Sequence, residues 1–282
     1  MHQWKIITDS GADYKKLTSK QANVNFEAIP LMINIDNKIF MDDQAFDIEA
    51  FHAQIKANQG PMSTACPSPD HYAEAFQDCE NVICFTLSKN ISGSYNAACL
   101  AKDMVLEKNP SQNIHIFDTN TAGTEADLLV LKAMELAETG LDFDNLVSQM
   151  IDYHKHTSTN YILKNVDNLV RNGRLNKLLG QMIGLLNILL LGRRTLDGRL
   201  ELVDKVRGEK RAIRSLIHAM KEQGYVGGKV LISHMLNLDY AKKIQASLIE
   251  EFQTQEIEIL EMSGICAFYA EYQGIILGYE IK

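Results

Sequence analysis

The stretch Asn81-Val82-Ile83-Cys84-Phe85-Thr86-Leu87-Ser88-Lys89-Asn90-Ile91-Ser92-Gly93-Ser94-Tyr95 decides the fold. Asn81 to Leu87 reads as a buried strand, a short apolar run with β-branched and aromatic residues. Leu87 to Ser94 is a hydroxyl-rich loop. Gly93 to Lys108 then reads as a helix, with Tyr95, Ala98, Cys99 and Met104 on or near its apolar side. Strand, polar loop and helix make one βα unit. The unit recurs on both sides. Lys5 to Thr8 is a strand, Asn113 to Asp118 another, and Thr124 to Glu138 a helix of period 3.6. Alternating strands and helices predict a parallel sheet with helices on both faces, its ligand edge outside the carboxyl ends of the strands.

Working outward, Gly11-Ala12-Asp13-Tyr14 reads as a turn and a short helix. Phe26 to Ile35 alternates as a strand, and Asn37 signals a hairpin turn before Lys38-Ile39-Phe40. Ile48 to Ala57 reads as a helix capped by Asp47. A second hydroxyl-rich loop, Ser63-Thr64-Ala65-Cys66-Pro67-Ser68-Pro69, ends in a helix start, with Ser68 at N-cap and Pro69 at N1. Phe143 to Lys155 is a helix that closes the first half. Beyond it come short strands at Tyr161–Leu163 and Ile188–Leu191, a helical turn at Val166–Val170, and a hairpin signal at Asp197-Gly198 before Leu200–Val206. Lys210–Glu222 and Asp239–Phe252 read as helices, Lys229–His234 and Glu256–Glu261 as strands. Ala267–Glu280 reads as two strands, or as a helical turn and a strand. The expected architecture is α/β in two domains: an N-terminal parallel-sheet domain over residues 1–157 and a C-terminal α+β domain with a mixed sheet over 158–282.

A net charge of −8 argues against nucleic acid as a partner. The longest apolar run, Met182 to Leu191, is too short to cross a membrane and reads as a buried helix end followed by a strand. The first residues run straight into a strand with no signal-peptide or lipidation pattern, so a cytoplasmic protein is expected. The five cysteines include no C-x-x-C pair, and free thiols are expected. Cys66 alone sits in a hydroxyl loop, and His71 is its nearest candidate activator.

Both hydroxyl loops suit an anion. Each places small hydroxyls and free N–H groups where a helix start carries partial positive charge. Thr64 is therefore a local cap or a ligand, and Ser92, Gly93 and Ser94 are a cap that also faces a ligand. An enzyme using Ser92, Ser94 or Cys66 as nucleophile on an acyl or phosphate substrate is the alternative, but it lacks a convincing base. Asp9 and Asp13 read as turn caps, His154 and His156 as solvated, and His234 as structural. The sequence calls for no metal and no cofactor.

Several motifs in order resemble the DegV family of bacterial fatty-acid-binding proteins. They are Thr8-Asp9-Ser10, Thr64-Ala65-Cys66-Pro67-Ser68-Pro69, Ile91-Ser92-Gly93-Ser94-Tyr95, Leu169-Val170-Arg171-Asn172-Gly173-Arg174-Leu175, and Asp197-Gly198 with Lys205-Val206-Arg207. The resemblance implies a non-catalytic carrier that buries a long-chain fatty acid in the first domain. It implies a carboxylate held at the domain interface by Thr64, Ser92, Gly93 and Ser94. It also implies presentation of the acid to an ATP-dependent fatty acid kinase partner, with Arg174 and Arg207 on the docking surface. The family's carboxylate-binding histidine falls on Ala270, and its Lys-Pro pair on Leu189-Leu190. Tyr269 or Tyr272 stands near enough in sequence to supply a phenolic O–H instead, and Glu271 is expected to point to solvent.

Overall fold

The computed structural model describes residues 2–36, 38–176 and 188–282. The turn read at Asn37 and most of the apolar run 182–191, including the Leu186-Asn187 stretch aligned before Leu189, lie outside the described residues.

The predicted parallel sheet is present. Its strands are β1 (His2–Asp9), β2 (Val24–Ile29), β6 (Cys79–Thr86) and β7 (Asn113–Asp118), in the order β2-β1-β6-β7, with every pairing parallel. Alternate side chains supply both faces, as the pleat requires. Ile7, Val82, Cys84 and Ile116 pack against α2 (Pro69–Ala75) and α3 (Ser94–Lys108). Trp4, Ile6, Ile83 and Phe85 pack against α4 (Thr124–Glu138) and α5 (Phe143–Lys155).

Past α5 the chain enters a second, mixed sheet of order β10-β9-β8-β13-β11-β12. Its strands are β8 (Thr157–Leu163), β9 (Ile188–Arg194), β10 (Leu200–Arg207), β11 (Val230–His234), β12 (Ile257–Glu261) and β13 (Ile275–Glu280). Only β11 and β12 pair in parallel. The amphipathic helices α7 (Glu209–Glu222) and α8 (Leu238–Phe252) cover one face through Leu216, Met220, Ile244 and Leu248. The other face receives α4, which lies between the two sheets. That position explains why its buried residues run nearly around the helix rather than along one stripe.

The approach of α4 to the second sheet depends on Gly278. A Cβ there would lie 2.3 Å from the Glu125 backbone nitrogen and 2.4 Å from the Thr124 carbonyl carbon. Neither is the end of a flexible side chain, so the helix itself must shift. Gly278→Ala is expected to cost about 2–3 kcal/mol in urea unfolding, the upper range for overpacking. A change under about 0.5 kcal/mol, the level of an ordinary surface substitution, would mean that the helix has slack.

A small antiparallel sheet, β4-β3-β5, fills the remaining side, built from β3 (Met32–Ile35), β4 (Lys38–Met41) and β5 (Met62–Ala65). It carries α1 (Ile48–Ala57), whose N-cap Asp47 accepts from the Glu49 and Ala50 N–H groups as predicted. Leu31, just before β3, and Ile33 and Ile35 on it share one core with Tyr161 and Leu163 of β8.

Four local readings change. Residues 11–14 form turns without a helix. The strand read over 26–35 is two strands in different sheets, broken where Pro30 cannot donate and the Leu31 N–H turns to the Ser10 hydroxyl at 3.0 Å. The loop read at Ser63–Thr64 is part of β5, because its backbone pairs with β3. The strand read at Tyr161 begins at Thr157, with a polar segment buried in mid-sheet. Its side chains are all bonded: Thr157 to Glu125, Ser158 to Gln223, Thr159 to the Leu277 carbonyl and Asn160 to the Gly192 carbonyl. Of the two readings of the C-terminal stretch, the helical one holds, with α9 (Gly264–Ala270) preceding β13.

Candidate functional site

The first sheet's strand order reverses between β1 and β6, and the loops leaving their carboxyl ends are tied by Asp9. Its carboxylate accepts from the Gly11 N–H at 3.0 Å, the Leu87 N–H at 2.9 Å and the Tyr72 hydroxyl at 3.4 Å. Burial raises its pKa to about 6 in spite of these donors and the Ser94 hydroxyl. Asp9 is thus an internal tie, and Asp13 is another. Asp13 accepts from the Ser263 N–H at 2.7 Å, and its own N–H donates to Asp127. Both roles agree with capping rather than metal binding.

Beside these loops lies a cavity of about 320 Å³. Leu31, Leu87, Ile91, Tyr161, Leu163, Leu200, Ile265 and Ile276 make its walls largely apolar. It runs along the β8 row Thr159, Tyr161, Leu163, which shares one face of the strand at intervals of two. The slot expected in the first domain is not walled by that domain alone. The second half supplies much of its wall, because the first domain's helices spend their apolar faces on the first sheet.

Several polar groups of the wall stand together around Tyr269. Thr64 on β5 and Ser92 before α3 both line it, as does Gly93. The cap of α3 is Gly93, not Ser92, and it gives no side-chain cap bond. Ser92 instead accepts from the Ser94 N–H at 3.2 Å and shares a hydrogen bond with the Ser94 hydroxyl at 3.0 Å. Ser94 is fully buried behind Ser92 and does not line the cavity. Tyr269 reaches in from α9, and its hydroxyl bonds the Thr64 hydroxyl at 2.8 Å. Ala270 follows it in the wall, presenting a methyl where the resemblance puts an imidazole.

The position of Tyr269 is fixed by how α9 starts. Ser263 caps the helix, and the buried Asp42 accepts from the Gly264 N–H at 2.7 Å and the Ile265 N–H at 2.8 Å. Lys15 pairs with that carboxylate. A side chain at Gly264 would meet the Phe46 ring, so only glycine lets this start seat against α1's entry.

The two arginines of the docking reading have different surroundings. Arg174 lines the cavity rather than an open surface, its guanidinium 5.6 Å from the Tyr269 ring centroid. Arg207 is exposed at the end of β10. Tyr272 is turned away and stacks on His52. Glu271 does not simply face solvent: it accepts from the Asn168 N–H at 2.9 Å at the start of α6 (Asp167–Arg171), and burial raises its pKa to about 7. His154 also departs from the solvated reading. It is half-buried, bonded to the Thr119 carbonyl at 2.8 Å, and burial lowers its pKa. His234 is structural, its ring accepting from the Asn237 N–H at 3.3 Å.

The geometry gives little to a nucleophile. Cys66 lines the cavity against Gly93, whose added Cβ would sit 3.0 Å from the sulfur. His71 is exposed on α2 and does not line the cavity. The carboxylate near Ser94 is Asp9, whose oxygens already take several donors. Among the described residues, no group of three or more His, Cys, Asp or Glu side chains is placed to hold a metal ion.

The hairpin joining β9 and β10 closes one side of the cavity. Its Gly198 lines the wall at φ +77°, and a Cβ there would meet the Ser88 hydroxyl at 2.3 Å. Asn90 donates to the Asp197 carbonyl at 2.6 Å, so the tip is bonded to the loop that carries Ser92.

This architecture and the sequence place the chain in the DegV family. The sequence profile described as "Uncharacterised protein, DegV family" matches residues 3–279. A DegV domain-containing protein of Streptococcus pyogenes serotype M1 is 42% identical over 278 residues, 99% of each chain. In structure, the chain is similar to the Streptococcus pneumoniae fatty acid kinase (Fak) B3 protein loaded with linoleic acid, with TM-score 0.97, 39% identity and full coverage of both chains. It is also similar to a DegV family protein from Eubacterium eligens loaded with heptadecanoic acid, with TM-score 0.94, 31% identity, and coverage of 99% of this chain and 100% of that one. Among the described residues, no helix is long and apolar enough to cross a membrane.

Proposed function

We propose that this protein is a non-catalytic carrier for a long-chain fatty acid. One observation carries the reading: a largely apolar cavity holds a cluster of hydroxyls, with an arginine beside it, in its wall. An acyl tail gains roughly 0.8 kcal/mol for each CH₂ moved from water into such a slot. Its carboxylate needs several donors to avoid an unpaired buried charge. Thr64, Ser92 and the backbone at Gly93, where α3 starts, supply them, and Ser94 holds Ser92 in place from behind. The head group then lies between the domains 1–157 and 158–282. Similarity to the Fak B3 protein supports a further step, presentation of the bound acid to an ATP-dependent kinase, with exposed Arg207 as a docking contact.

Extraction and mass spectrometry of the purified protein should find fatty acid near one equivalent. Lipid-free protein that takes up no added hexadecanoic acid would end the carrier reading. Thr64→Val and Ser92→Ala should each weaken hexadecanoate binding by about 1.5–3 kcal/mol, the value of a hydrogen bond to a charged group. Unchanged affinity in both would move the head group elsewhere.

A further inference from the structure

The wall of the cavity carries polar groups in more than one place. Tyr269 and Ala270 belong to the carboxyl end of β8. Gly274, just before β13, lies against Ala270 there: a Cβ on it would stand 2.4 Å from the Ala270 carbonyl oxygen. The next residue, Ile275, pairs with Ile162. Thr159 lies further back on β8, paired with Gly278, and lines the cavity on the same face as Leu163. Strand rise sets the Thr159 and Leu163 Cα atoms roughly 13 Å apart.

Arg194 stands on the Thr159 side. Its Nη2 donates to the Thr157 carbonyl at 3.2 Å. It also borders a second groove, with Asn120, His154 and Ser158, and so forms the partition between that groove and the cavity. A slot built only for an alkyl chain needs neither side chain. Both have bonding capacity left. The Thr159 hydroxyl spends its proton on the Leu277 carbonyl at 2.7 Å, which leaves its lone pairs to accept. Arg194 commits Nε and Nη2 to Glu125 and Thr157, while its Nη1 has no hydrogen bond among the described residues. One acceptor and one charged donor thus border the same stretch of the cavity. They complement a hydroxyl, which gives one hydrogen bond and takes others.

We propose that Thr159 and Arg194 form a second polar subsite, which takes a hydroxyl carried well along the acyl chain. The ligand class it adds is the hydroxylated fatty acid. The inference rests on the carrier reading and leaves the carboxylate contacts as they are.

The test titrates the full chain, stripped of lipid, with octadecanoate, 12-hydroxyoctadecanoate and 2-hydroxyoctadecanoate. A wholly apolar tail slot would reject the 12-hydroxyl by about tenfold, because it would bury that group unpaired. The expected result is that 12-hydroxyoctadecanoate binds at least as tightly as octadecanoate. Thr159→Val keeps the side chain's shape and removes the acceptor. It should lower the affinity ratio of 12-hydroxyoctadecanoate to octadecanoate by about threefold to tenfold. Thr159→Ser returns the acceptor and should return the ratio. The ratio for 2-hydroxyoctadecanoate, whose hydroxyl sits beside the carboxylate, should stay where it is in all three proteins. Arg194 is left intact, because its pair with Glu125 ties α4 to the second sheet. A parent protein that rejects the 12-hydroxyl tenfold overturns the inference. So does a ratio unchanged in Thr159→Val, or a shift shared by both hydroxy acids. If Thr159→Val does not fold, the parent titration decides alone. A parent that binds none of the three acids defeats the carrier reading itself, which separates the two failures.

Discussion

Arg194→Met is expected to destabilise the protein by about 3–5 kcal/mol, the cost of leaving a buried carboxylate without its cation. Glu125 is fully buried at the start of α4, and Arg194 grips it with two hydrogen bonds of 2.7 Å from β9. Arg194 also donates to the Thr157 carbonyl at 3.2 Å. The pair therefore joins the helix between the sheets to the second sheet. Breaking it strands a charge, whereas removing both ends does not. The double variant Arg194→Met/Glu125→Met should recover most of the loss, because well-packed apolar replacements of buried ion pairs are often neutral. Chemical denaturation of the two single variants and the double variant checks this. A double variant as unstable as Arg194→Met would place the contribution in packing rather than charge.

The second large effect concerns pH. The buried Asp9 carboxyl has its pKa raised from 3.8 to about 6. Between these values the folded protein holds a proton that the unfolded chain releases, so this group's contribution to stability falls as pH rises. From pH 7 to pH 5 it should add about 1.4 kcal/mol by linkage. Asp13, raised by burial next to Asp127 and Asp42, and Glu271 shift in the same sense. His115, His154 and His234 oppose them, because burial lowers their pKa values and each resists charging as pH falls. The clean measurement is a difference. Stability of the parent and of Asp9→Asn is compared at pH 7 and pH 5, and the parent should gain more on acidification by about that amount. Equal gains would show that Asp9 stays ionised throughout.

Local chemistry made much of this fold legible. Helices α1, α4 and α5 and strand β7 start and stop where periodicity and caps place them, because an N-cap such as Asp47 or Asp142 acts within its own turn. The βα alternation was enough to give the parallel sheet. The βα loop that follows β6 also marked polar groups of the cavity wall, since it lies at the carboxyl end of a strand of the parallel sheet.

Tertiary structure decided the rest. Thr64 lies on a strand only because β3 pairs with it, a partnership across sequence that no local pattern contains. The polar run Thr157–Asn160 reads as surface, yet it sits buried because Glu125, Gln223, Leu277 and Gly192 satisfy it from distant segments. Glu125 and Arg194 carry no sequence signal: an acid in the first turn of a helix and a charge beside a hairpin both read as solvated. Arg174 likewise looks like a surface cation. Only the folded chain shows it over Tyr269, inside the wall of the cavity. Caps and periodicity act over a few residues, whereas the neighbours of a buried charge are brought together by long-range packing, which therefore determined the electrostatics of this site.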